Sequence, residues 1–112
     1  MLSDSERDAL EDIRDNIARA MRFVDGLDLD AFLADDKTFY AATRCLEIIS
    51  EASRRLSPAF KNRFPEIPWK QVAGSGNIYR HSYENVQERR IRATIHEALP
   101  RLCAVVDAEL NA

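Results

Sequence analysis

The sequence has few residues that interrupt helices and few that bind metals: three Gly, four Pro, two Cys and two His in 112 positions. No apolar run approaches the ~18 residues of a bilayer span. The opening stretch MLSDSERDALED is acidic where a secretion signal would be basic and then apolar. The expectation is a cytoplasmic protein with no membrane association. Cys45 and Cys103 each stand alone in an apolar stretch, without C-x-x-C spacing. That predicts free, buried thiols in a reducing compartment and argues against a disulfide framework or a zinc site. The two His are too isolated to suggest a metal cluster, so no metal and no cofactor is expected. Sixteen Lys and Arg against nineteen Asp and Glu give a net charge of −3. A global attraction to nucleic acid is thereby excluded, and any RNA site has to be a local basic patch.

With 46% hydrophobic and 31% charged residues, the chain fits one globular domain over residues 1–112. Its sparse Gly and Pro are clustered, so they punctuate clearly. Ser3 or Asp4 caps a first helix with Leu10, Ile13, Ile17, Met21 and Val24 at helical spacing, and Gly26 follows its last apolar position. Residues 27–35 read as a linker with one helical turn around Leu29, Phe32 and Leu33. A second long helix spans about Asp36 to Leu56, with Phe39, Ala42, Cys45/Leu46, Ile49, Ala52/Ser53 and Leu56 on its apolar face. Ser57-Pro58 starts a short helix over Ala59 to Phe64, and Pro65-Glu66-Ile67-Pro68 ends it. Trp69 opens another short helix that closes at Val72 or Ala73, before Gly74-Ser75-Gly76 loosens the backbone. The last helix runs from near Val86, with Ile91, Ile95, Ala98/Leu99, Leu102, Val105/Val106 and Leu110 inward, and a kink or break is expected at Pro100. Strand-like alternation is missing throughout. The fold class is all-α.

Chemistry concentrates between Gly74 and Tyr83, which gathers Asn77, Tyr79, Arg80, His81 and Tyr83 beside the expected break. In a helix, residues four apart share a face, which pairs Asn77 with His81, Gly76 with Arg80, and Tyr79 with Tyr83. An imidazole can move a proton near neutral pH and a guanidinium can hold a phosphate through two oxygens, so the set suits a phosphodiester. The same residues also fit a plainer role, with His81 and Tyr83 hydrogen-bonding across a helix packing.

Glu51-Ala52, Ser57, Phe64-Pro65-Glu66-Ile67-Pro68-Trp69 and Gly76-Asn77-Ile78-Tyr79-Arg80-His81-Ser82-Tyr83, in this order and spacing, resemble the HepT-like family of the HEPN superfamily across nearly the whole chain. The resemblance implies an antiparallel bundle of four to five helices that forms a homodimer, with the two motifs in one cleft. It also implies a metal-independent endoribonuclease acting as a toxin on RNA. Its partner would be an MntA-like nucleotidyltransferase antitoxin that silences it by moving AMP onto the motif tyrosine. Carried over by position, His81 is the catalytic His, Asn77 its polar helper and Tyr83 the AMP acceptor. The family's motif Arg falls on Gly76, which has no side chain to hold charge. Arg80, one helical turn on and next to His81, is either its replacement or an ordinary surface cation. Without a replacement, the domain is a weak or inactive relative that serves as binding partner and substrate of the nucleotidyltransferase. A helical dimerisation module with no nucleic acid is the third reading.

Glu51 and Tyr79 are candidate supporting residues, Glu51 through the Gly74–Asn77 backbone. Trp69 reads as a packing anchor with its indole N–H satisfied locally, and His96 as a surface residue. Residues 1–36 hold eleven acidic and four basic side chains, whereas the remainder holds eight acidic and twelve basic. Arg54, Arg55, Lys61, Arg63, Lys70, Arg80, Arg89, Arg90 and Arg92 therefore form either a cleft that attracts RNA or a solvated face.

Overall fold

Ser3 opens α1 (Asp4–Val24): its Oγ accepts the Glu6 N–H at 3.1 Å, satisfying a donor that the first turn leaves free. The computed structural model describes the backbone of residues 2–78 and 85–112, and the side chains of residues 2–74 and 89–112. Along α1 the inward stripe is Ala9, Leu10, Ile13, Asn16, Ile17, Ala20 and Val24. Met21, expected inside, is 41% exposed, and Ala20 takes the inward position. A methyl there lets neighbouring helices approach closely, which a Met would prevent. Asn16 is buried at the cost of one donor, and its Nδ2 meets that cost by bonding the Asp12 carbonyl at 2.9 Å. Gly26 follows with φ +77°, the left-handed turn expected of a glycine after a helix end.

Asp28 caps the single turn α2 (Leu29–Leu33) by accepting the Ala31 N–H at 2.8 Å. That turn puts Phe32 fully into the core. Asp35 then starts α3 (Asp36–Arg54), taking both the N–H and the hydroxyl of Thr38, at 3.1 and 2.7 Å. Helices α1 and α3 form the main packing pair. They run antiparallel, because Arg55 at the end of α3 reaches Asp12 at 2.7 Å and Ser57 reaches Glu6 at 2.8 Å. Ser57 also caps α4 (Pro58–Asn62), which ends two residues earlier than the expected Phe64.

Trp69 behaves as an anchor. Its indole N–H is shared between the Lys61 and Phe64 carbonyls at 3.1 and 3.0 Å, and its ring meets Phe60 edge-on at 6.1 Å. Helix α5 (Trp69–Ile78) starts there and continues through Gly74-Ser75-Gly76 instead of stopping at Ala73. After the motif, α6 (Asn85–Ala93) leads into a π-helical turn at Thr94–Ala98 and then α7 (Leu99–Leu110). Pro100 thus does not break the helix, and the disturbance expected there takes the form of the π-helical turn just before it. It has no N–H for the His96 carbonyl, and its ring would crowd that oxygen. The wider turn, in which the Leu99 N–H reaches back to the Thr94 carbonyl, absorbs the misfit and lets the rod continue. Leu99 and Val106 are buried and Val105 packs half-buried against the core, whereas Ala98 is exposed.

The bundle is therefore α1, α3, α5 and the α6–α7 rod, with α2 and α4 as one-turn connectors. Leu10, Ile13, Ile17, Leu46, Ile49, Ile91, Ile95 and Leu102 meet in its centre. Among the described residues all regular structure is helical, and no helix is long and apolar enough to cross a membrane. Both thiols are free; Cys45 is buried as expected, whereas Cys103 is only half-buried, 3.5 Å from Asp107. Burial pushes both above the ordinary thiol range, and Asp107 adds to the effect on Cys103.

Candidate functional site

The motif begins on the last turn of α5, where the backbone of Gly76 and Asn77 is helical. Tyr79, Arg80, His81 and Tyr83 lie outside the described residues, as does the side chain of Asn77. The arms on either side of the motif are described, the end of α5 before it and α6 after it.

The first arm contains a local conflict. Two glycines within one helical turn cost about 2 kcal/mol relative to alanines, so Gly74-Ser75-Gly76 opposes its own helical state. Packing does not demand the first of them, since a Cβ on Gly74 would meet nothing within 4 Å. Helix α3 supplies the counterweight. Ser50, 1% exposed, donates its hydroxyl to the Ala73 carbonyl at 2.6 Å. Arg54, one turn further along α3, donates Nη2 to the same oxygen at 2.5 Å and lies 3.4 Å from Ser50 Oγ. A neutral bond contributes about 1 kcal/mol and a charged one about 1.5–3 kcal/mol, the lower end applying to an exposed group such as Arg54. The two together match the glycine cost. Ser53 completes the buried polar set by donating to the Ser50 carbonyl at 2.7 Å.

Glu51 pairs within its own helix. Its side chain is exposed and lies 3.5 Å from Arg55, which Asp12 holds more closely. Among the described residues, the side chains of α3 that bond the α5 backbone are Ser50 and Arg54, at Ala73. The sequence signal for them was weak: a Ser and an Arg four apart on one helix, with their partner 19 to 23 residues away.

The basic residues have different fates. Arg55 is tied to Asp12, and that bond raises its already high affinity for its proton. Arg63 pairs with Glu109 at 2.6 Å and stacks on the Phe60 and Phe64 rings. Arg92 reaches the Leu27 carbonyl at 3.4 Å, and its Nε is buried with no hydrogen-bond partner among the described residues. Lys70, Arg89 and Arg90 are exposed. A groove of about 530 Å³ runs between α3, α5 and the α6–α7 rod, with Leu46, Ile49, Val72 and Leu102 on its apolar wall and Arg90 and Arg101 at its polar edge. Both helices that adjoin the motif line it. His96 is exposed, as expected. Among the described residues no group of three or more His, Cys, Asp or Glu could hold a metal ion.

Comparison with known proteins gives the family of the chain. Residues 13–109 match the family described as Ribonuclease HepT-like. A protein of Thermococcus cleftensis named "Probable ribonuclease HepT" is 39% identical over 98 residues, covering 88% of this chain and 89% of its own. A protein of Methanocaldococcus jannaschii that carries an RNase name is 33% identical over 101 residues, covering 88% of this chain and 93% of its own. A third relative with an RNase name, from Caldanaerobacter subterraneus, is 33% identical over 96 residues, covering 86% of each chain. Comparison with solved structures gives no significant match. With an all-α bundle, a matching stretch of 97 residues and relatives of nearly equal length, the chain belongs to the HepT-like ribonuclease family of the HEPN superfamily.

Proposed function

We propose that this chain is a single-domain, metal-independent endoribonuclease that acts in the cytoplasm as the toxin of a HepT/MntA-type toxin–antitoxin pair. The observation that carries the reading is its likeness over 88% of its length to a protein named as a ribonuclease HepT. Asn77, His81 and Tyr83 stand within the matched region in the order of the family motif.

The chemistry is acid–base catalysis on RNA. His81 takes the proton of a ribose 2′-OH as that oxygen attacks the adjacent phosphorus, or gives a proton to the departing 5′-oxygen. The 2′-O–P bond forms and the P–O5′ bond breaks, leaving a 2′,3′-cyclic phosphate and a 5′-hydroxyl. Arg80 and Asn77 hold the charge that builds on the phosphoryl oxygens. DNA lacks the 2′-OH and is inert. One chain offers a single motif His, so a base and an acid together require the His81 of each protomer in a homodimer. The nucleotidyltransferase partner switches the site off by placing AMP on Tyr83, beside His81, with Tyr79 as a further aromatic neighbour in sequence.

The test is RNA cleavage by unmodified protein in excess EDTA, beside His81→Ala prepared the same way. Cleavage that survives the chelator and disappears in the variant is the expected result. No cleavage by protein shown by mass to carry no AMP would overturn it. Gly76 favours the second reading in that event, because the position of the family's motif Arg has no side chain here. The domain would then be a catalytically silent partner and modification substrate of the nucleotidyltransferase.

A further inference from the structure

We infer that Ser50 and Arg54 are positioning residues: their shared grip on the Ala73 carbonyl holds the second half of α5 helical and so sets where Asn77 stands. The inference rests on the ribonuclease reading for its catalytic consequence, but the latch itself rests on geometry alone. Ser50 Oγ lies 2.6 Å and Arg54 Nη2 2.5 Å from one carbonyl oxygen. That carbonyl belongs to the residue immediately before Gly74-Ser75-Gly76, and one helical turn before Asn77. Ser50 is buried on α3, among side chains of the central core, so the hydroxyl has a fixed origin. Arg54 extends from the last turn of the same helix. A rigid helix thus reaches across to its neighbour at the point where the neighbour's own sequence is least able to stay helical.

This placement also explains why the helix continues past Ala73. Glycines in a helix interior raise the entropy cost of order, and Gly74 and Gly76 place that cost in the turn just before Asn77. Two donors from α3 fix the carbonyl orientation of the preceding turn, which is the template for the next. The latch then acts on the reaction through Asn77, without touching RNA. Such a residue changes turnover more than substrate binding.

The experiment compares wild type, Ser50→Ala, Arg54→Ala and Arg54→Lys by amide hydrogen exchange and by steady-state RNA cleavage. In Arg54→Ala the amides of Asn77 and Ile78 should exchange roughly 10-fold faster, while those of Ile13 and Leu46 stay unchanged as reporters of the global fold. The kcat should fall about 10-fold with KM within about two-fold. Arg54→Lys should recover part of both effects, and Ser50→Ala should act in the same direction as Arg54→Ala. Unchanged exchange at Asn77 and Ile78 would overturn the latch. A raised KM with unchanged exchange would overturn it too, making Arg54 a phosphate contact. Faster exchange with unchanged kcat would remove its catalytic consequence and so overturn the positioning role. A wild type that cleaves nothing sinks the ribonuclease reading instead, and exchange by itself then decides the latch.

Discussion

The Ser57 hydroxyl donates to Glu6 Oε2 at 2.8 Å while accepting the Phe60 N–H at 3.1 Å, so the residue that opens α4 is also tied to the first turn of α1. The Ser57 N–H adds a second bond to the same carboxylate oxygen, at 3.2 Å. These bonds, the hydroxyl's first and then the N–H, hold the Glu6 carboxyl below its ordinary range. The stability that Glu6 contributes is therefore present above its unfolded-state pKa and lost as pH falls through its lower folded value. Thermal melts of wild type and Glu6→Gln across that acid range should converge as pH falls and separate above it. A gap that widens toward acid would contradict the assignment.

Phe32 tests the status of α2. A five-residue helix has little stability of its own, yet this one buries a whole phenyl ring. Phe32→Ala should cost about 3–5 kcal/mol in urea unfolding. Tyr40 is 70% exposed, and Tyr40→Ala should stay within about 0.5 kcal/mol. A small effect at Phe32 would make residues 27–35 the plain linker that their composition suggests.

Arg63, at the end of α4, pairs with Glu109 on α7 and packs over the faces of Phe60 and Phe64 at 5.8 and 5.1 Å. A lysine reproduces the charge and neither the fork nor the stacking. Arg63→Lys should therefore lose most of what Arg63→Ala loses, about 1 kcal/mol in total. In a double-mutant cycle with Glu109→Gln the coupling should shrink in high salt.

How far local sequence reached depended on whether the deciding contact was local. Ser3, Gly26 and Ser57 mark helix ends through residues a few positions away, and those ends are where they imply. Gly74-Ser75-Gly76 reads as a break for the same reason, and is helical because Ser50 and Arg54 act from another helix. Pro100 announces a disturbance, but only the packing of Ile95 and Leu99 on either side shows that a wider turn resolves it. Met21 and Ala20 are one residue apart, and spacing alone cannot choose between them once close helix packing favours the smaller side chain. At the site, the motif's order was legible from Asn77, His81 and Tyr83. Its support was not, since a buried serine on α3 has no local feature that points to Ala73.

Gly76 gives the last prediction. If the ribonuclease reading holds, the charge on the phosphoryl oxygens is met by Arg80 and Asn77, without the side chain that the family places at position 76. Arg80→Ala should then lower kcat by about 10²-fold or more, the usual effect of removing one preorganised donor to developing charge. Gly76→Arg should raise it, because a long cation returns to that position and an arginine also favours the helix over a glycine there. In Gly76→Arg the Arg80→Ala change should cost less than in wild type, since two cations serving one phosphate are partly redundant and their effects do not add. The measurement is kcat and kcat/KM for the four proteins on one RNA, in EDTA and at fixed salt. Additive effects would mean that the two positions serve different oxygens or different steps. An unchanged Arg80→Ala would mean that Arg80 is an ordinary surface cation.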